Sequence, residues 1–372
     1  MYMGILNMKT SVKFGVAALA AAVASVTQGA EVYSKDGTSL AIGGRIEAAY
    51  VTGDNGSAGN KDHTIRNQMR LNIKGRSKIN DSVTAFGFTE WQQDNRGNSS
   101  NAQNMKVRDQ YVGLDFGDYG QLQAGRYLTN IYYLAEPTDI FEEISCIGSE
   151  SGSSRSSGKF RYTYENYGFH AAAEFQSAVN NVPIDHLEDE HNIDAGYSLT
   201  LGYTTPSVGF GPIEIRAGYE YQRYQDDYGD THDDFSNSKS YGAALTWGEY
   251  GAGLYLAADY TVRDFSVRDD GNDFKMQGVE VAASYGTDFG LILAAAYEWQ
   301  RYNPDQGKSA DESVAIAQIQ YKFNPNFKVW IEGAWDLDTD KNFGKDVNGN
   351  GGDRADKEVK GDSYSIAARY NF

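Results

Sequence analysis

Apolar and polar residues alternate along this chain in short runs, most clearly in its last ten residues. Tyr364, Ile366, Ala368, Tyr370 and Phe372 alternate there with Ser363, Ser365, Ala367, Arg369 and Asn371. Alternation with a period of two gives a β-strand one apolar face and one wettable face. A run of about ten residues that ends on an aromatic suits a tilted strand crossing a bilayer. The segment therefore predicts a strand of an outer-membrane β-barrel.

Sixteen segments of this kind follow one another from Glu31 onward. The predicted strands are 39–52, 64–79, 82–92, 106–116, 121–126, 159–165, 167–176, 196–204, 212–224, 239–249, 251–265, 276–286, 290–302, 312–323, 326–337 and 362–372. Short turns alternate with longer polar connections, the third of which is 127–158. A secreted antiparallel sandwich would share the strand pattern, but not this one-sided distribution of long loops. The sequence thus predicts an all-β, 16-stranded antiparallel transmembrane β-barrel.

Charged residues in these segments fall on the face opposite the apolar ones. In the eleventh segment, Leu254 and Leu256 lie on one face and Asp259 and Arg263 on the other. A charge that faces hydrocarbon costs a few kcal/mol, roughly 2 to 4 for Arg or Lys at the bilayer midplane. These charged side chains are therefore predicted to point into a watery lumen.

The first thirty residues follow a different pattern. Lys9 and Lys13 precede an Ala-, Val- and Leu-rich run at 16–26, and small residues follow at 27–30. This order is typical of a secretory signal peptide. We expect translation to begin at Met8, a cleaved signal at 1–30 and a barrel domain at 31–372. No later run of eighteen apolar residues predicts a transmembrane helix.

Composition agrees with this interpretation and excludes some functions. The 372 residues include Gly 41 and Tyr 27 but only Pro 6, as expected for strands and turns with interfacial aromatics. Loss of Lys9 and Lys13 takes the net charge from -18 to about -20, which argues against nucleic acid as a partner. No cofactor is predicted. A segment at 346–351 resembles the start of a calcium loop, but Lys357 stands where a bidentate glutamate is needed, so no metal is predicted either.

The candidate site is the interior of the barrel. Sixteen strands leave a lumen too wide for side chains to fill, which predicts an aqueous channel. The connection 127–158 is far longer than a hairpin needs, and ordered loops of that length are usually functional. It carries Glu136, Asp139, Glu142, Glu143 and Glu150, while the predicted inner face carries Arg45, Arg66, Arg70, Lys74, Arg108, Arg155 and Arg161. Charges of opposite sign across a pore set its ion preference, and arginine stays ionised.

Several stretches, taken in order, resemble the general diffusion porins of Gram-negative outer membranes over nearly all of 31–372. They are Glu31-Val-Tyr-Ser-Lys-Asp-Gly, Gly43-Gly-Arg-Ile, Arg70-Leu-Asn-Ile-Lys-Gly, Tyr111-Val-Gly-Leu, Phe116-Gly-Asp-Tyr-Gly-Gln-Leu-Gln-Ala-Gly-Arg and Arg369-Tyr-Asn-Phe. The resemblance implies a homotrimer and a third loop folded inward as a constriction. It also implies Asp139 with Glu142 or Glu143 as loop acids, facing Arg45, Arg70, Arg108 and Arg155. The family's Pro-Glu-Phe-Gly-Gly segment is replaced here by residues 139–146, so the acid that lines the constriction is left open.

The expected function is a passive channel for small hydrophilic solutes and ions, in contact with outer-membrane lipid and lipopolysaccharide. Weak cation preference is expected because acidic loops enrich cations at the mouth. A sugar-selective porin would need a file of inward aromatics, and of the tryptophans mainly Trp330 falls on the inner face. A lipid-hydrolysing barrel would need a Ser or Cys beside a His at the outer rim, and no such pairing is predicted. A role of the loops in adhesion stays open.

Overall fold

A computed structural model describes residues 29–52, 64–95, 105–143, 146, 148, 155–183, 190–226, 235–268, 273–337 and 361–372. Within these ranges eighteen strands are formed. They are β1 (Ala30–Lys35), β2 (Thr38–Thr52), β3 (Thr64–Lys78), β4 (Thr84–Asn95), β5 (Lys106–Asp115), β6 (Gln121–Leu128), β7 (Arg155–Asn166), β8 (Phe169–Gln176), β9 (Val179–Pro183), β10 (Glu190–Thr204), β11 (Ile213–Tyr224), β12 (Phe235–Glu249), β13 (Ala252–Val267), β14 (Phe274–Gly286), β15 (Leu291–Pro304), β16 (Ala310–Asn324), β17 (Phe327–Asp336) and β18 (Ser363–Asn371). Two 3-10 turns, η1 (Gly117–Tyr119) and η2 (Asn130–Leu134), accompany them. No helix in this part of the chain is long and apolar enough to cross a membrane.

The wall is a closed barrel of sixteen strands, β2 to β8 and β10 to β18. Strands next to each other in the chain pair antiparallel, β8 pairs with β10, and β18 pairs with β2 to close the ring. Each predicted segment coincides with one wall strand, so the predicted 16-stranded antiparallel barrel is confirmed. Residue-by-residue alternation was sufficient because each wall strand has one face toward each side of the barrel.

One wall strand is made of two pieces that meet at a seam. On one edge of β2, β1 pairs with its first half and β18 with its second half, as in Glu31 with Ala41 and Asn371 with Arg45. Gly44 and Phe372 exchange two backbone hydrogen bonds of 3.0 Å where the pieces meet. A side chain at Gly44 would come within 2.7 Å of the Phe372 ring, so the seam requires glycine there. β1 was not predicted from the sequence.

The two faces of the wall differ in chemistry. On the outer face, Tyr260, Val281 and Tyr297 are 47%, 48% and 45% exposed. Their chain neighbours on the inner face, Asp259, Glu280 and Glu298, are 4%, 0% and 0% exposed. An apolar outer surface around a charged interior is what a barrel in a bilayer requires.

The lengths of the connections follow the predicted asymmetry with one exception. The connection 205–212 lies on the short-turn side but is longer than 305–309 on the other side. It is held against the wall, since the Phe210 ring stacks on Trp247 at 4.1 Å and the Trp247 indole N–H donates to the Val208 carbonyl at 2.7 Å. A further strand, β9, forms inside the predicted fourth long connection. The end of the barrel on which a connection lies therefore follows from the order of the strands, since the length of 205–212 alone would place it at the wrong end.

Candidate functional site

Arginines form a row across the inner face of the early strands. Its members are Arg45 on β2, Arg70 on β3, Arg108 on β5 and Arg155 on β7. Arg45 and Arg70 are direct cross-strand neighbours. The Gln92 side-chain carbonyl accepts hydrogen bonds from Arg70 Nε and Arg108 Nη1, each at 2.8 Å, and Arg155 Nε donates to Asp109 at 3.1 Å. The structure thus brings the four predicted arginines together, with neutral and acidic acceptors between the like charges.

A β-bulge turns Arg108 into this row. Between the register pairs Glu90 with Asp109 and Trp91 with Val107, β5 has one more residue than β4, and that residue is Arg108. A bulge commonly re-aims a side chain. Here Arg108 Nε reaches Glu90 Oε1 at 3.1 Å on the inner face. Strict alternation along β5 would have placed Arg108 on the outer face.

Residues 129–143 of the third long connection contact inner-face groups on a series of strands. The contacts advance along the wall: Asn130 Nδ2 to the Ala172 carbonyl of β8 (3.1 Å), Tyr133 Oη to Glu214 of β11 (2.8 Å), Thr138 Oγ1 to Asp259 of β13 (2.8 Å), and the Pro137 carbonyl from Tyr255 Oη (2.8 Å). Ile140 and Phe141 pack in an apolar cluster with Tyr255, Val314 and Ile316. The segment is therefore fixed by both polar and apolar contacts to the inner face of the later strands.

The end of this segment is held by one carboxylate. Glu332 on β17 accepts the backbone N–H of Glu142 at 2.9 Å and that of Glu143 at 3.1 Å. The Gln318 side-chain amide donates to the same carboxylate at 2.7 Å. Hydrogen bonds from two consecutive backbone N–H groups to a charged acceptor fix the local backbone strongly. The two glutamate side chains therefore leave the loop from defined positions.

Those side chains meet Lys328 and Arg369, which were not predicted as site residues, and Arg66, which was predicted on the inner face but not as a partner of the loop acids. The Glu142 carboxylate pairs with Lys328 Nζ and, at 2.5 Å, with Arg369 Nη2, while the Glu143 carboxylate pairs with Arg66. The resemblance implies instead that Asp139 with Glu142 or Glu143 faces Arg45, Arg70, Arg108 and Arg155. Lys328, Arg369 and Arg66 lie on the inner face, and the alternation along their strands indicates this. Alternation alone does not reveal which inner-face bases the loop reaches.

Adjacent glutamates have opposite pKa shifts. Burial raises the pKa of Glu142, but Lys328 and Arg369 more than offset it, and the pKa is about 2. Burial also raises the pKa of Glu143, which Arg66 lowers and the carboxylates of Glu47, Glu332 and Glu142 raise again, to about 7. Glu142 is therefore ionised at neutral pH, whereas Glu143 is close to half protonated.

Other predicted or potential site residues have local roles. The Tyr132 hydroxyl donates to Asp139 within the same segment, and Glu136 pairs with Arg216 at 2.6 Å. Trp330, 1% exposed, has Arg369 at 5.0 Å and Lys328 at 5.5 Å from its ring centre. The Trp330 ring is thus in contact with two cationic side chains. Glu150 and the calcium-like segment 346–351 with Lys357 lie outside the described residues.

The chain resembles proteins of known family and known structure. A family described as Gram-negative porin matches residues 15–342. The outer membrane porin protein OmpD of Citrobacter koseri is 29% identical over 87% of this chain and 91% of its own length. Among solved structures, OmpF of Salmonella typhi in complex with daunomycin superposes with a TM-score of 0.71 at 22% identity, over 92% of this chain and 100% of that one. A trimer form of OmpT of Vibrio cholerae gives 0.65 at 16% identity, over 91% and 100%.

Proposed function

The chain belongs to the Gram-negative porin family, and we propose that it forms a passive aqueous channel for small hydrophilic solutes and ions across the outer membrane. The observation that carries this proposal is the closed 16-stranded wall with apolar side chains outside and charged side chains inside. Side chains do not fill a barrel of this size. Water and small solutes then have a path, while hydrocarbon meets only the outer face.

The narrowest part of this channel lies between residues 129–143 and the arginine row. The contacts of Thr138 with β13, of Glu142 with β17 and β18, and of Glu143 with β3 support this arrangement. A segment held against one side of the inner wall leaves the other side open to water. The arginine row on β2, β3, β5 and β7 then borders the open path.

We propose weak cation preference for the channel. The chain carries a net charge of -18, and an acidic mouth raises the local concentration of cations. In the constriction, Asp139, Glu142 and Glu143 offset the arginines, so the local charge is closer to neutral than the whole. Screening acts over roughly 8 Å at physiological salt, so the preference is strongest in dilute salt.

The test is the reversal potential of single channels across a potassium chloride gradient. Combined Asp139→Asn, Glu142→Gln and Glu143→Gln should shift it toward anion preference, and combined Arg70→Gln and Arg108→Gln toward cation preference. The exposed Glu249, at the end of β12, provides a control as Glu249→Gln, for which no shift is expected. An unchanged potential in both combined variants would mean that these residues do not line the path. A parent protein that conducts no current would refute the channel itself.

We further propose that the chain forms a trimer and that residues 1–30 are removed on export. A trimer is supported by the trimer form of a solved structural neighbour, and the exposed apolar wall suits contact with outer-membrane lipid and lipopolysaccharide. Removal of residues 1–30 on export is supported by their signal-like sequence, and N-terminal sequencing of the membrane-inserted protein tests it. The sugar-selective alternative predicts a saturable block of current by one oligosaccharide in the same recordings.

A further inference from the structure

A buried glutamate, Glu47, lies beside the arginine row on the inner face of β2. It follows Arg45 by two residues, so the two side chains share one face of the strand, and it is only 2% exposed. Arg369 on β18 is its direct cross-strand neighbour. A charge buried to this degree is normally paired. The partners of Glu47 therefore indicate its role.

The two carboxylate oxygens of Glu47 bind different arginines. Oε2 accepts hydrogen bonds from Arg369 Nε at 2.8 Å and from Arg369 Nη2 at 2.6 Å. Oε1 accepts one from Arg66 Nη2 at 3.4 Å. Hydrogen bonds between ionised partners are stronger than neutral ones. Because β18 and β3 flank β2, Glu47 joins the strands on its two sides.

Both arginines also hold a glutamate at the end of the third connection. Arg369 Nη2 lies 2.5 Å from Glu142 Oε2, and Arg66 Nη2 pairs with Glu143 Oε2. Each arginine thus uses one nitrogen to bridge Glu47 and a loop glutamate. Since the two loop glutamates are adjacent in the chain, the contacts form a closed cycle. We call it the ion-pair cycle, and its members in order are Glu142, Arg369, Glu47, Arg66 and Glu143.

Glu47 balances the charges around the ion-pair cycle. Lys328 also pairs with Glu142, so three cations meet only two carboxylates of the third connection, and Glu47 supplies the third. Arg369 is 6% exposed, and removal of one partner of a buried ion pair leaves an uncompensated charge. Without Glu47, the ion-pair partners of Arg369 and Arg66 among the described residues would be the loop glutamates alone.

We propose that Glu47 is a positioning residue of the constriction, which fixes the two loop glutamates through the two arginines of the ion-pair cycle and thereby sets the charge of Glu143. This inference rests on the proposed channel function. Charged groups face Glu143 from three strands and from its chain neighbour: Arg66 on β3, Glu47 on β2, Glu332 on β17, and Glu142. Arg66 is the cation in this set, and Glu47 shares it.

Glu47 affects the ionisation of Glu143 in two ways that have the same sign. Its own negative charge disfavours a second carboxylate nearby, which raises the pKa of Glu143. It also binds Arg66, so that this cation does not pair with Glu143 alone. Loss of the charge on Glu47 should therefore lower the pKa of Glu143, and Glu143 should stay ionised to a lower pH.

The test compares Glu47→Gln with the parent in the pH dependence of the single-channel reversal potential across a potassium chloride gradient. The step that belongs to Glu143 lies at about pH 7 in the parent and should move roughly 1 pH unit lower in the variant. Open-channel current noise should rise, because both arginines lose one acceptor. Heat-modifiable migration of the folded barrel confirms assembly. If Glu47→Gln does not assemble, the double variant Glu47→Gln with Arg369→Gln removes the opposed charges together and should show the same shift.

Two further variants separate charge from fit. Glu47→Asp keeps a carboxylate opposite Arg369, so its midpoint should lie close to that of the parent. Glu90→Gln removes a carboxylate that pairs with Arg108 on the same inner face, and its midpoint should equal that of the parent.

An unchanged midpoint in a folded Glu47→Gln barrel would overturn the inference. An equal shift in Glu47→Gln and Glu47→Asp would overturn it too, because side-chain fit rather than charge would then decide, and so would an equal shift in Glu90→Gln. A parent that conducts no current would instead refute the channel function, so the two failures are distinguishable.

Discussion

The inner face of the early strands and that of the later strands share one sequence pattern but differ in environment. Arg45, Arg70 and Arg108 on the early strands are half-buried and bonded to neighbours on their own wall. Asp259 and Glu280 on the later strands are almost wholly buried, with the Thr138 hydroxyl between them. Alternation therefore selects the face of a strand, while the path of residues 129–143 decides whether that face meets water.

We call the later strands, which residues 129–143 contact, the covered wall, and the early strands with the arginine row the open wall. Loss of a hydrogen-bond acceptor should cost more free energy of unfolding on the covered wall than on the open wall. A partly exposed arginine that loses one acceptor can turn to water, and ion pairs in contact with solvent contribute little to stability. A buried N–H group that loses its acceptor has no such replacement. Substitutions on the covered wall should therefore affect folding, and those on the open wall mainly ion flow.

The largest effect is expected at Glu332, which holds the end of the third connection. Glu332→Leu leaves two backbone N–H groups and the Gln318 amide without their acceptor. An unsatisfied buried group costs about 1–3 kcal/mol, so the free energy of unfolding should fall by roughly 3 kcal/mol. Urea unfolding in lipid vesicles measures this, and open-channel current noise should rise because the segment is less restrained. Glu249→Leu, at an exposed position, should leave both quantities at the parent's values.

A smaller effect is expected from pH, through Glu143. Its pKa of about 7, raised mainly by burial, means that its negative charge is lost as pH falls through that value. Cation preference should therefore weaken between about pH 8 and about pH 6, as read from reversal potentials. Glu142, with a pKa of about 2, stays charged throughout this range.

Two matched variants separate these glutamates. Glu143→Gln should abolish the pH-dependent step. Glu142→Gln should shift the whole curve toward anions and move the midpoint slightly lower, because one carboxylate that raises the pKa of Glu143 is gone. A step that survives in Glu143→Gln would assign the titration to another group.

The smallest effect is expected at Gln92 on the open wall. Gln92→Leu removes the carbonyl that accepts from both Arg70 and Arg108, but Arg108 keeps Glu90. Because both arginines are only partly buried, the free energy of unfolding should change by no more than about 1 kcal/mol. The reversal potential should change only slightly. Gln93→Leu, one residue along and on the opposite face, is the control. A loss as large as that of Glu332→Leu would contradict the proposed difference between the walls.

The strands of the wall could be predicted because the alternation of apolar and polar residues lies within each strand. The alternation within each strand indicates its two faces, as the run 362–372 did for β18, and it also marks Arg45 and Arg70 as inner-face residues. Arg108 needed a bulge, which depends on the register between β4 and β5 and not on β5 alone. The partners of Glu142 depend on where the whole third connection runs, since Lys328 and Arg369 lie about two hundred residues further along the chain. Such contacts are properties of the closed ring.

The seam has a consequence for how the barrel enters a bilayer. Among the described wall strands, neighbours in the ring follow closely in the chain except at β18 and β2, where Arg369 and Glu47 are separated by 322 positions. Closing a loop of that length costs about 5 kcal/mol of chain entropy. Until it closes, β2 and β18 present unpaired backbone groups that hydrocarbon cannot hydrogen-bond. An open sheet is therefore unstable in the hydrocarbon of the bilayer, and closure of the ring has to be coupled to its insertion.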